Sequence, residues 1–225
     1  NNLIITTLKS FFACQVAQTT LSGILSFYRG LDLFTLLKKD KNWIGDPLRN
    51  KLEILNNKKV LFFGKGSINK EVAKYLKPFD CKCSFIDSHS KKEFVENKLR
   101  LAEIIICALP GTKSTEMLFN KKRLDMLSKD SIIVNVGRGN LIDENYLIKK
   151  LNNNTIRGAV LDVTYEEPLQ RNSELWNCPN LILTQHTGGG YSNEIKDKIN
   201  FFLDNFKRYA KKSPMLNIID LKKGY

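Results

Sequence analysis

The chain has 225 residues, of which 42% are hydrophobic and 10% aromatic; this argues against disorder and is enough to bury a true core in one large α/β domain or two small ones. No apolar run reaches the roughly 18 to 20 residues of a membrane span, so no membrane partner is expected. The formal charge of +13 comes from lysines scattered in ones and twos, such as Lys38 and Lys39, Lys58 and Lys59, or Lys211 and Lys212, without the clustering and interleaved aromatics of a nucleic-acid surface.

The first predicted element is a long amphipathic helix from about Cys14 to Leu37, and a polar linker over 38–57, holding Trp43 and Pro47, follows as a loop. Six short runs of β-branched and aromatic residues come next: Val60–Phe63, Cys83–Ile86, Ile104–Leu109, Ile132–Val136, Gly158–Val163 and Leu181–Thr184. Each is almost wholly apolar, as strands are when both faces of a parallel sheet are covered, and helix-length spacers separate them. The expected fold is α/β, a doubly wound parallel sheet whose ligands bind outside the carboxyl ends of the strands. Residues 193–211 then repeat apolar side chains at helical spacing (Ile195, Ile199, Phe202, Phe206, Tyr209) until Pro214 ends the pattern. The apolar tail Leu216–Leu221 reads as a strand or extended segment.

Five cysteines, Cys14, Cys81, Cys83, Cys107 and Cys178, are an odd number with no Cys-x-x-Cys pair. That fits a reduced cytosol and suggests neither a disulfide framework nor a metal site. With neither an initiating Met nor a signal peptide, the chain is expected to begin partway through a longer protein.

The first strand runs into Gly64-Lys65-Gly66-Ser67-Ile68-Asn69, and a helical pattern with Val72, Ala73 and Leu76 follows at once. This is the dinucleotide fingerprint in its strand-turn-helix setting. Gly64 permits the tight turn, Gly66 lets backbone approach a pyrophosphate, and the helix start at Ser67 and Ile68 offers amide donors and a positive dipole. Asn69 stands in place of the third glycine, which predicts looser packing of helix on strand. Asp87 ends the second strand about 20 residues further on, where a carboxylate accepts ribose hydroxyls. It points to NAD rather than NADP, although His89, Lys91 and Lys92 close behind soften the repulsion of a 2′-phosphate.

Three complementary groups then emerge at successive strand ends. Arg138 lies between Gly137 and Gly139 after the fourth strand, where a guanidinium can grip a carboxylate through two parallel hydrogen bonds. The fifth strand ends at Asp162 and leads to Glu167-Pro168, and the sixth ends at His186, followed by Gly188, Gly189 and Gly190. Of the two histidines, only His186 sits where the sheet presents it to a bound cofactor. With a Glu beside it to hold its orientation, it is a candidate general acid for a carbonyl oxygen.

From about Ile4 to Tyr225 the chain resembles the D-2-hydroxyacid dehydrogenases, the group that includes D-lactate, phosphoglycerate, and glyoxylate or hydroxypyruvate dehydrogenases. The resemblance runs through Val16-Ala17-Gln18, Gly64 to Ile68, Ala108-Leu109-Pro110 with Thr112 and Thr115, Asn135 to Gly139, Leu161-Asp162-Val163 with Glu167-Pro168, and Leu183 to His186. It implies that Arg138 binds the substrate's carboxylate and carbonyl, and that Glu167 partners the catalytic His186. It also implies that Asp162 orients the nicotinamide carboxamide, and that Pro110, Thr115, Val136, Gly137 and Gly189 line the cofactor. The fold implied is a Rossmann-type NAD-binding domain over 1–190, with its core at 58–190. Residues 191–225 then belong to a remnant of a flavodoxin-like substrate domain. Family members are usually dimers. Departures from the pattern are Gln18 for a usual Glu, Asn69 for the third Gly, and Gln185 for a Pro before the His. The family's first hundred or so residues have no counterpart, while the ending resembles the natural terminus of short members, so no regulatory domain is expected beyond it.

The expected activity is reversible hydride transfer between NAD(H) and C2 of a small 2-oxo or 2-hydroxy acid, in a cytoplasmic homodimer. Two alternatives stay open: a dinucleotide sensor or scaffold resembling the C-terminal-binding-protein corepressors, and an inactive, truncated relative.

Overall fold

The computed structural model describes residues 3–219. Its centre is a six-stranded, all-parallel sheet in the order β2-β1-β3-β4-β5-β6. The strands are β1 (Lys59–Phe63), β2 (Lys82–Ile86), β3 (Ile104–Cys107), β4 (Ile132–Asn135), β5 (Gly158–Leu161) and β6 (Leu181–Leu183). The chain first steps from β1 to β2 and then crosses back to the other side of β1, so the order reverses between β1 and β3. Such a reversal opens a crevice at the carboxyl ends of the strands.

Successive residues of a strand face opposite sides, and the core divides accordingly. Leu61, Phe63, Ile105, Cys107, Ile133 and Leu161 pack on one face with α4 (Lys92–Leu101), α5 (Lys121–Leu124) and α6 (Glu144–Asn152). Val60, Phe62, Ile104, Ile106, Ile132, Val134 and Val160 pack on the other with α1 (Ala13–Arg29) and α3 (Ser67–Leu76). Both faces being covered explains why the central strands β3, β4 and β5, buried throughout, read as almost wholly apolar runs.

The single helix expected over 14–37 is two. α1 ends at Gly30, which adopts a left-handed conformation (φ 66°), and α2 (Leu31–Lys39) departs in a new direction. Gly30 has no Cβ to resist that turn, and an added one would meet Leu52 at 2.9 Å. α1 buries seven residues, whereas none of α2 is buried. The last helix, α7, spans Glu194–Ala210. The tail expected over 216–221 makes an isolated antiparallel bridge between Thr6 and Ile218, and its last two residues lie outside the described ones.

At the amino edge of the sheet an ion network clamps the linker down. Lys58 donates to Glu53 at 2.8 Å and to Glu103 at 3.0 Å, and Arg157 also pairs with Glu53. Both cations lie over the ring of Tyr28, at 5.2 and 4.7 Å. Burial pushes the Tyr28 hydroxyl up to about 12. The opposite, carboxyl edge carries the candidate site.

Candidate active site

Each strand delivers one motif to the carboxyl edge. After β1 the chain turns at Gly64 (φ 99°), whose amide donates to Ile86 at 2.8 Å, and a Cβ there would strike Leu109 at 2.9 Å. Gly66 begins α3 in extended backbone, capped by no side chain among the described residues. A Cβ at Gly66 would meet nothing within 4 Å of those residues. A helix start of this kind leaves its first amides with no partner inside the helix, which suits a phosphate.

Asn69 does not loosen the turn as the missing glycine suggested. It is fully buried, and its Nδ2 donates at 2.9 Å to both the Phe63 and Gly64 carbonyls, tying helix to strand. Its Oδ1 has no partner among the described residues. Ser67 and Ile68 are half-buried on the first turn of α3.

Asp87 stands at the end of β2. Its Oδ1 accepts the His89 amide at 3.0 Å and the Ser90 hydroxyl at 3.2 Å, while Lys65 Nζ lies 3.0 Å from Oδ2. Lys65, more than the turn, holds the Asp87 carboxyl below the usual carboxylate range. The basic residue that reaches this carboxylate is thus in the glycine turn, not among the lysines that follow Asp87.

After β3, Thr115 closes a tight loop, its hydroxyl donating to the Pro110 carbonyl at 2.6 Å and accepting the Thr112 amide at 2.9 Å. After β4, Asn135 shapes the corner: its Oδ1 accepts the Gly137 amide at 3.1 Å and its Nδ2 donates to the Arg138 carbonyl at 2.9 Å. Gly137 is obligatory, since a Cβ would sit 2.5 Å from the Leu109 carbonyl oxygen. Val136 turns its side chain into the core. Arg138 is exposed, with Nη1 donating to the Gly137 carbonyl at 2.7 Å.

The last two strands build the acid-base pair. Asp162 is 5% exposed; its Oδ1 accepts the Thr184 hydroxyl at 2.6 Å and the Gly188 amide at 3.0 Å. Glu167 uses Oε1 to accept the Thr164 amide at 3.1 Å and Oε2 to contact His186 Nδ1 at 2.6 Å. Gln185 and His186 are both left-handed, with φ of 54° and 55°. A proline at Gln185 could not adopt that angle, so the chain enters its histidine by a path the usual Pro-His pair cannot follow.

Asp162, Glu167 and His186 line one cleft of about 430 Å³ with Leu169 and Trp176. Arg138 is outside the wall of that cleft. It adjoins it through Gly139, which lies so close to Thr164 that a Cβ would come within 1.8 Å of that carbonyl oxygen. Gly189 packs against Phe12, where a Cβ would meet the ring at 2.9 Å. Thr184, Asn135 and Lys65 were not anticipated as site residues. Thr and Asn directly at strand ends, and a Lys between the two glycines, were the available signals.

Residues 21–188 match the family described as "D-isomer specific 2-hydroxyacid dehydrogenase, NAD binding domain". A glyoxylate/hydroxypyruvate reductase of Arabidopsis thaliana is 31% identical over 97% of this chain and 70% of its own length. A solved D-isomer-specific 2-hydroxyacid dehydrogenase family protein from Aeromonas salmonicida is 29% identical, with a TM-score of 0.84 over 98% of this chain and 72% of that one. One from Xanthobacter autotrophicus, in complex with NADPH and MES, shares the fold at 24% identity, with a TM-score of 0.84 over 100% of this chain and 95% of that one.

Proposed function

The chain belongs to the D-isomer-specific 2-hydroxyacid dehydrogenase family, and from that premise we propose that it transfers a hydride reversibly between NAD(H) and C2 of a small 2-oxo or 2-hydroxy acid. The observation that carries the reading is the 2.6 Å contact of His186 Nδ1 with Glu167 Oε2 in a cleft at the carboxyl edge of the sheet. With Nδ1 engaged by the carboxylate, Nε2 is the nitrogen left to give its proton to a carbonyl oxygen or to take one from a hydroxyl. Glu167 holds the ring in that orientation and is in turn held by the Thr164 amide.

The residues of the glycine turn fit a dinucleotide: an open backbone cradle at Gly66, a helix start without a side-chain cap, and a strand-end carboxylate at Asp87. The nicotinamide, when bound, supplies or accepts the hydride. In this reading Asp162, pinned by Thr184 and Gly188, orients the carboxamide, and Gly64, Ser67, Ile68, Pro110, Thr115, Gly137 and Gly189 are assigned to the cofactor groove, as the family resemblance implies. Arg138 takes the substrate carboxylate from the adjoining corner.

Residues 191–225 are read as part of a separate substrate domain, supported by the exposed apolar row Ile195, Ile199, Phe202, Phe206 and Tyr209 on α7. A homodimer is supported by another exposed apolar stretch, Leu31, Leu36 and Ile44 with Trp43, which is 93% exposed. Because the Arabidopsis relative bears the name glyoxylate/hydroxypyruvate reductase, those two acids are the first substrates to try.

The test is loss of NADH absorbance with glyoxylate, hydroxypyruvate, pyruvate and phosphohydroxypyruvate, with His186→Ala as control. Turnover is expected, and the substitution should lower kcat by at least about 100-fold. NADH binding without turnover of any of these acids would overturn the catalytic reading and leave a dinucleotide sensor.

A further inference from the structure

The carboxylate that ends β2 already has its acceptor oxygens in use. Asp87 Oδ1 takes the His89 amide and the Ser90 hydroxyl, bonds that belong to its own turn, and the Asp87 amide donates back to Ser90 Oγ at 3.0 Å. Oδ2 is held by Lys65, 3.0 Å away. The two contacts differ in kind. The turn is fixed by backbone, whereas Lys65 is a flexible cation with 58% of its side chain exposed. Moreover Lys65 stands between Gly64 and Gly66, so its stem starts on the segment that faces the pyrophosphate.

An adenosine ribose with free hydroxyls needs Oδ2 as an acceptor and competes with Lys65 for it. A ribose 2′-phosphate meets the opposite situation. The Asp87 charge that repels it is screened by Lys65, and the same ammonium can leave the carboxylate for the more highly charged phosphate. Lys91 and Lys92 at the start of α4, with Glu93 beside them, add net positive charge on the same side.

We infer that Lys65 is a specificity-determining residue that lets this site take NADPH as well as NADH, although Asp87 by itself selects NADH. The inference rests on the proposed dinucleotide site. Pairing of Lys65 with Asp87 and pairing of Lys65 with a 2′-phosphate are alternative states of one side chain, so its removal weakens NADPH without weakening NADH.

Equilibrium titration of the purified chain with NADH and with NADPH, followed by nucleotide fluorescence, reads this without turnover. For the unmodified chain, dissociation constants within about tenfold of each other are expected, the scale of one charge-assisted hydrogen bond. Lys65→Ala should weaken NADPH by about tenfold while leaving NADH unchanged or tighter. Asp87→Asn should do the reverse, and 2′,5′-ADP should compete with the coenzyme less well in Lys65→Ala. An NADPH-to-NADH ratio that Lys65→Ala leaves in place, with both coenzymes bound, overturns the inference and spares the dehydrogenase reading. Failure of the unmodified chain to bind either coenzyme overturns both. Because Lys65 is exposed, thermal melting of Lys65→Ala should match that of the unmodified chain, and a melting transition in each variant shows that it is folded.

Discussion

Gly66→Ala separates what the glycine turn does for folding from what it does for binding. Gly66 has φ −69° and ψ 177°, which any residue adopts, and a Cβ there meets no described heavy atom within 4 Å. Alanine is poorer than glycine at a helix N-cap by up to about 1 kcal/mol. Against this, it restricts the unfolded chain and returns about 0.4 to 1 kcal/mol. The net change in stability is therefore within about 0.5 kcal/mol, a melting shift of roughly 1 to 2 °C for a chain of this size. Binding answers differently. The new methyl stands where a pyrophosphate oxygen must come to about 2.9 Å from a helix amide. Losing one or two such charge-assisted bonds weakens NADH by about 10- to 100-fold. Urea unfolding and NADH titration on the same preparation measure both quantities. Unchanged NADH affinity would show that the pyrophosphate does not lie on this turn, and a stability loss above about 2 kcal/mol would show that the space around Gly66 is not open.

Gly139→Ala should be damaging on both counts: with its Cβ 1.8 Å from the Thr164 carbonyl oxygen, the Arg138 corner and the Glu167 loop must part by about 1 Å, costing about 1 to 3 kcal/mol and about 100-fold in kcat. Wild-type kinetics in that variant would refute the close approach. Gln185→Pro is expected to destabilise the chain by more than about 1 kcal/mol and to lower kcat, because a proline ring cannot take the φ of 54° seen there; urea unfolding and steady-state rates report both, and Gln185→Gly, free of the left-handed penalty, should match or exceed wild-type stability. For Glu53, burial pushes its carboxyl up, but hydrogen bonds from Lys58 and Arg157 outweigh this and leave it below the ordinary range. A depressed folded pKa means that the stabilisation is complete above the unfolded glutamate pKa of about 4.3 and is lost as pH falls through the lower folded value. Glu53→Gln should therefore cost about 1 kcal/mol at pH 7, discounted because the side chain is 43% exposed. That difference should shrink toward pH 3 in urea unfolding, and a pH-independent difference would refute the assignment.

The sheet was legible because burial on both faces writes its central strands as apolar runs, and the residues just past the strands are those of the candidate site. The same apolarity blurred the strand ends. Ala108, Val136 and Val163 extend their runs in sequence, yet they belong to the turns that carry the motifs beyond Cys107, Asn135 and Leu161. Gly64, Gly66, Asp87, Glu167 and His186 were readable from residue type and spacing. The left-handed pair Gln185-His186 was not, since Gln carries no signal for a positive φ and His only a weak statistical one. The Lys65–Asp87 contact joins two strand ends that are neighbours only in the folded sheet. The turn at Gly30 was hidden for another reason: Leu31, Phe34 and Leu37 continue the apolar spacing of α1, and a lone glycine is tolerated inside many helices.

That turn gives α2 an unusual physical status. A nine-residue helix is shorter than the roughly 12 to 15 residues at which isolated helices become even marginal in water, and α2 buries none of its residues to make up the difference. Its backbone bonds thus lie at the low end of local opening free energies, far below those of β1 or β4. The amide protons of residues 31–39 should accordingly exchange with solvent sooner than those of the sheet, and any partner that covered this segment would be read as their slowing.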